Sequence, residues 1–410
     1  VILFLIIGII LKNYYVIKTP IYLRGHDIGN IDEDGHLAYI YTLYKTGHLP
    51  LTNEWQFYHP PLFHIIGAIF LKISDLLKIN LNNAIEGIQY INVFFSNLII
   101  YYAYKITKEI KFNKSSIILI LLFLTFYPTF YLLAGSINND CLLLLLEFIV
   151  TYYLIIWDKQ PNIKNTILLG LFTGLTVMAK ANGAIMAIPI LYIFIKKIIK
   201  NIKYKKVKEI KNIINKIFLF GIISLPIGLW FQIRNIIKFQ NISIPYLGTD
   251  NWLYIGNYTF TQRFLDISFS QIFDTIFCQI DPNIFAFIVK NSIFGEYTYN
   301  LSPTFCRIFL LLNLILIIIS LIYTAKYIIK KNKEISLNII LIIWLTTMIS
   351  FYIFNIKYPF SCSQDYRYIA ITSFCGICFI EKEIPSKIRS KIEILIFIFS
   401  ALSSFFIIKI

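Results

Sequence analysis

Arg307 to Ala325 reads RIFLLLNLILIIISLIYTA, nineteen residues whose single charged side chain is the first. A helix rising about 1.5 Å per residue needs roughly 20 such residues to cross ~30 Å of hydrocarbon. A helix apolar on every side belongs inside a large protein or in lipid. Similar runs lie at about 88–104, 115–134, 141–157, 165–180, 182–195, 214–233, 335–354, 367–380 and 393–409. With the opening run Val1–Leu11 they predict about eleven transmembrane helices. The opening run reads as a clipped span and not a signal peptide, because no small-residue cleavage site follows Leu11.

Composition agrees. Of 410 residues, 57% are hydrophobic and 15% charged, and the mean hydropathy is +0.69, outside the range of a soluble domain. The net charge of +16 would point to nucleic acid in a soluble chain. Here the lysines collect in short connections between apolar runs, so they report topology and no nucleic-acid partner is expected. Residues 105–114, 196–216, 326–333 and 382–391 hold these clusters. All four share the cytoplasmic side if the N-terminus is cytoplasmic. One polytopic domain, 1–410, then presents two large external loops, about 12–87 and 235–306. Six cysteines lack zinc-like spacing, and Cys375 and Cys378 fall in an apolar run where helix packing explains them.

The first external loop concentrates carboxylates: Asp27, Asp32, Glu33 and Asp34 precede a helical pattern from Leu37 to Tyr44. Such acids suit a helix N-terminus on a solvated face. They also suit general-base chemistry, since an acceptor hydroxyl becomes a good nucleophile only as its proton is taken. Adjacent acids raise one another's pKa, and His36 is placed to tune or orient one of them. Further on, Gly47-His48-Leu49-Pro50 leads to Tyr58-His59-Pro60-Pro61-Leu62-Phe63-His64, where the prolines fix the chain entering a helix of about 62–77. That helix carries Lys72 and Asp75 and is expected at the membrane interface. His59 and His64, five apart, have a poor metal spacing on a helix.

The succession DEDGHLAYIYTL (32–43), GHLP (47–50) and YHPPLFH (58–64) resembles the first external loop of the GT-C glycosyltransferases. The likeness is to the branch holding protein O-mannosyltransferases and the lipid A aminoarabinose transferases. It implies a GT-C helical fold, an external catalytic cavity with juxtamembrane helices in the first loop, and a polyprenyl-phosphate sugar as donor. Asp32 matches the first acid of that branch's Asp-Glu pair and is the first choice for the base, with Glu33 and Asp34 close competitors; direct attack would invert the anomeric carbon. His36, Tyr58 and His59 are expected to bind substrate. Asp34 is an additional acid, and His59 stands where the aminoarabinose transferases have Lys before Pro-Pro. The sugar and acceptor are therefore not carried over from either branch.

Three later positions join these. Asp140 either caps the helix it opens or lines the site; Glu147, seven residues on, shares nearly its helical stripe. Lys180, ending the Gly170-to-Gly174 helix, either snorkels to headgroups or resembles the lysine that ends this helix in related glycosyltransferases, near the carrier phosphate. Gln364-Asp365-Tyr366-Arg367-Tyr368 looks like the Arg-Tyr motif of that family, and a guanidinium meets two phosphate oxygens at once. Arg234 and Arg263 are weaker phosphate or acceptor candidates. Expected partners are the donor, a lipid, glycan or protein acceptor, and membrane lipids. No cofactor is called for by the motifs, and a divalent metal is left open. The expected location is a multi-pass cell membrane, or the endoplasmic reticulum membrane with lumenal loops in a eukaryote. A transporter or flippase of lipid-linked sugars is the alternative, although no repeated halves are evident. An inactive scaffold is a third.

Overall fold

A computed structural model describes residues 2–21, 35–240, 248–275, 281–296, 299–330 and 334–410, the Trp55 side chain excepted. Among them the chain is all-α, with one isolated β-bridge, Tyr254 to Phe360. Each of the eleven expected runs is helical over most of its described length. Among the described residues, six helices are long and apolar enough to cross a membrane: Asp140–Lys159, Ala181–Lys203, Val207–Phe239, Pro303–Ile329, Ile335–Lys357 and Ser386–Lys409. A seventh is added if the bent pair Lys114–Phe126 and Pro128–Ala134 counts as one span. Ile163–Ala179 and Ile284–Phe294 are apolar but shorter. Length and composition thus establish a polytopic membrane protein and do not by themselves bring the count to eleven.

Local chemistry sets several boundaries. The expected 115–134 run is bent by 50° at Tyr127. Pro128 offers no backbone N–H and pushes the residue before it out of helical space, and Tyr127 is extended (φ −73°, ψ 121°). Proline then opens the next helix. The first helix runs Ile2–Lys18, past the apolar stretch that ends at Leu11. Lys12, expected to begin a polar loop, is instead fully buried with Nζ 3.3 Å from Asn97 Oδ1. The apolar criterion missed residues 12–18 because Lys12, the charge that ends the apolar run, has a partner inside the bundle.

Asp140–Lys159 is the hub, with 78% of its apolar window buried, whereas Val207–Phe239 lies at the rim with 17%. The rim helix is held by close backbone approach. A Cβ on Gly174 would stand 2.8 Å from Ile227 Cβ and 3.0 Å from Ser224 O; one on Gly170 would meet Phe220 O at 3.2 Å. Small residues are what permit such helix contacts in lipid.

Ion pairs tie the lysine-rich connections together at one end. Lys330 meets Glu383 at 2.7 Å, Lys382 pairs with Glu334, and Lys159 meets Glu109 at 2.6 Å. Arg389 pairs with Glu381 and donates to Ser116 Oγ at 2.9 Å. The first-loop helices Gly35–Thr46 and Leu62–Leu76 belong to the opposite end. Gly47 closes the former in a left-handed turn (φ 69°), its N–H on Leu43 O.

Candidate active site

At that opposite end lies a cavity of about 580 Å³. The first loop supplies His36, Glu54, Gln56, Tyr58 and His59 to its wall, the hub region supplies Lys180, and the 354–368 stretch supplies Tyr358, Cys362, Arg367 and Tyr368. Asn251 and Trp252 of the second large loop close another side. That segment is docked by backbone pairing, with Ile255 N–H on Pro359 O and Ser361 N–H on Leu253 O, both 2.9 Å.

Lys180 sits where Ile163–Ala179 ends in an extended residue (φ −159°) and a 3₁₀ turn begins. The chain doubles back so tightly that a Cβ on Gly183 would stand 2.6 Å from Thr176 O. This turn aims the ammonium at Asp140, the first residue of the hub helix, 2.5 Å away. Arg367 Nε reaches the other Asp140 oxygen at 3.4 Å and Asp365 Oδ2 at 3.2 Å. Two cations and two carboxylates, all nearly buried, therefore form one chain of alternating charge. Tyr368 lies between the cations, its ring centre 4.7 Å from Lys180 Nζ and 5.3 Å from Arg367 Cζ. Cation–π attraction favours this placement.

The histidines form a second cluster. His36 Nδ1 and His64 Nε2 are 2.8 Å apart, while His36 stacks between His59 and His64 with ring centres 5.4 and 5.1 Å away. His64 stacks in turn on Tyr39 at 4.0 Å. Burial, reinforced by Lys180 and the neighbouring imidazoles, holds the His59 pKa well below the usual histidine range. His64 is lowered too, again mainly by burial and then by His36. Among the described residues, no group of three or more His, Cys, Asp or Glu is placed to hold a metal ion.

His36, Tyr58, His59, Lys180 and Arg367 thus meet at one cavity, and Asp140 stands behind it, bridging the two cations. Tyr366 does not line the cavity. It is buried, with its ring 5.9 Å from that of Tyr127. In a 3₁₀ turn successive residues are about 120° apart, so Tyr366 and Tyr368 face different ways. Asp27, Asp32, Glu33 and Asp34 lie outside the described residues, as does Cys278. Arg234 is tied to Pro50 O and Asn235, and Arg263 to Asn355 O, so neither joins this cavity. Glu147 is buried within the hub helix. Sequence reasoning missed His64 and Asp365. Both stood inside motifs already quoted, but the 28-residue separation of His36 and His64 carries no periodic signal that would pair them.

A polytopic helical membrane protein with a cation-bearing polar cavity at one end is the class that fold and site define. Residues 58–230, 173 of the 410, match the family model described as dolichyl-phosphate-mannose-protein mannosyltransferase. The resemblance to GT-C glycosyltransferases of the mannosyltransferase-like kind, read from the first-loop motifs, is supported by that match. No curated protein matches the chain significantly. Among solved structures, ArnT from Cupriavidus metallidurans in the apo state superposes with a TM-score of 0.42 at 10% identity, over 93% of this chain and 76% of that one. The same protein bound to undecaprenyl phosphate gives 0.41 at 10% identity, over 93% and 77%.

Proposed function

We propose that this protein is a membrane glycosyltransferase that moves a sugar from a polyprenyl-phosphate donor to an acceptor hydroxyl, in the cavity on the non-cytoplasmic face. The observation that carries the reading is the convergence of Lys180 and Arg367, 187 residues apart in sequence, on Asp140 at the wall of that cavity. Departure of the carrier leaves negative charge on a phosphate oxygen. Preorganised cations in a water-poor wall stabilise that charge, and removing one such group typically costs ~3 kcal/mol of barrier. Asp140 and Asp365 hold both cations in place beforehand, so little reorganisation is needed as charge develops.

The acid at 32, 33 or 34 is the base in this scheme, two to four residues before His36 in the chain. It takes the proton of the acceptor hydroxyl as oxygen attacks the anomeric carbon, and the carrier phosphate leaves from the opposite face, inverting the configuration. His59, held neutral, offers a hydrogen-bonding group without adding a third positive charge.

The test is transfer of a labelled sugar from a polyprenyl-phosphate donor by purified protein in lipid. Asp32→Asn, Glu33→Gln and Asp34→Asn are assayed separately, with folding checked by thermal midpoint. One of the three is expected to lose activity by 10²-fold or more. Normal transfer by all three, or by Arg367→Met, would sink the proposal.

A further inference from the structure

Arg367 stands on a short 3₁₀ turn, Tyr366–Ile369, and such a turn leaves its first backbone N–H groups in need of outside acceptors. Arg367 N–H finds Asp365 Oδ1 at 3.1 Å. Tyr366 N–H finds Asn291 Oδ1 at 2.8 Å, a contact made between buried groups 75 residues apart. Because a backbone N–H can only donate, this bond fixes which way the Asn291 amide faces. Its Nδ2 is buried and among the described residues has no hydrogen-bond partner. It belongs to the wall of a polar pocket of about 60 Å³ that Arg367, Asp365, Glu296 and Asn138 also line.

Asn291 is itself rigidly held. Its helix, Ile284–Phe294, is buried almost throughout and capped by Asn283, whose Oδ1 accepts from Ala286 N at 3.0 Å. The Asp281–Lys290 pair, 2.7 Å apart with each side chain 4% exposed, fastens the entry to this helix. Thr129 Oγ1 donates to Ser292 O at 2.7 Å and Asn313 Nδ2 to Ser292 Oγ at 2.8 Å, fixing it to the spans. The same template grips the preceding turn, because Gln364 Nε2 donates to Asp281 O at 2.8 Å.

We infer that Asn291 is a positioning residue for Arg367: its side-chain oxygen holds the turn so that the guanidinium is presented at the carrier-phosphate position. This gives the second large loop a function, since its buried helix is the template on which the 361–369 turns are set. The inference rests on the proposed function only where phosphate binding is read out.

Two readouts separate them. In hydrogen–deuterium exchange, Asn291→Leu, close in shape but lacking the oxygen, is expected to speed exchange at least tenfold in a 361–369 peptide and to spare Ile284–Phe294. Asn291→Asp, which keeps an oxygen, is expected to retain protection of the turn. Unchanged exchange in the Leu variant, or equal loss in both segments, would overturn the inference whatever the protein binds. In the second arm, undecaprenyl phosphate is titrated onto protein in nanodiscs. Asn291→Leu is expected to weaken binding about tenfold in the native background and less than twofold when Arg367 is already Met. An equal effect in both backgrounds would mean that Asn291 does not act through Arg367. No weakening by Arg367→Met itself would count against the functional reading, and the exchange result would still decide the role of Asn291.

Discussion

Asp140→Asn is the most informative single change, because the carboxylate stands between two cations and its loss can be sized. Lys180, Arg367, Asp140 and Asp365 sum to zero charge; with asparagine at 140 the group carries one net positive charge in a wall where the Lys180 and Asp140 side chains are only 11% and 3% exposed. Breaking a buried pair from one side typically costs 3–5 kcal/mol. Lys180→Met is gentler, at about 1–3 kcal/mol, because Asp140 keeps Arg367 at 3.4 Å. The double variant Asp140→Asn/Lys180→Met removes both charges, leaves Arg367 with Asp365 at 3.2 Å, and should recover all but about 1 kcal/mol. Denaturant unfolding in lipid nanodiscs, followed by tryptophan fluorescence, measures all three. A single variant as stable as the native chain, or a double variant no better than Asp140→Asn, would refute the buried-pair argument. The rescued double variant is also the right protein for asking whether carrier phosphate needs Lys180.

Three further outcomes follow from the same geometry. Cys362 lines the cavity and is partly exposed, whereas Cys141, Cys306, Cys375 and Cys378 are buried, so in a Cys278→Ser background a membrane-impermeant anionic thiol reagent should label Cys362 from outside intact cells; labelling only after permeabilisation would reverse the assigned orientation. Gly174→Ala should lower stability by about 1–3 kcal/mol because its Cβ meets Ile227 at 2.8 Å, while Gly221→Ala, with only Leu225 Cδ1 at 3.9 Å, should be neutral or slightly stabilising; equal thermal midpoints would contradict the packing. His59 and His64 resist protonation when folded, so below about pH 6.5 the unfolded chain binds more protons and stability is lost as the pH is lowered, by at most about 1.4 kcal/mol per residue per pH unit. His59→Asn should flatten that slope in unfolding titrations between pH 6.5 and 5, and an unchanged slope would show that His59 is not held neutral.

What the sequence determined by itself is the membrane and the order of helices along it. Apolar transfer energy adds up residue by residue, so a run such as 307–325 announces its environment without reference to any neighbour. The break at Tyr127 also has a local cause, since Pro128 constrains the residue before it, but hydropathy alone read 115–134 as one span. Lys12 marks where this logic ends: a charge that closes an apolar run can still sit in the bundle if a distant Asn97 receives it. The motif candidates Lys180 and Arg367 were legible as residue types but not as a pair. Their meeting on Asp140, 40 residues before one and 227 before the other, depends on how three helix ends pack. The choice between Tyr366 and Tyr368 turned on a 3₁₀ turn that no period in the sequence announced. Asn291 had no distinguishing signal, being one of three adjacent polar residues, Lys290, Asn291 and Ser292, in an otherwise apolar helix, and its value lies in the single backbone N–H it meets across the fold. Hydrophobicity is a sum along the chain, whereas a site is a set of distances between its remote parts, and only packing fixes those distances.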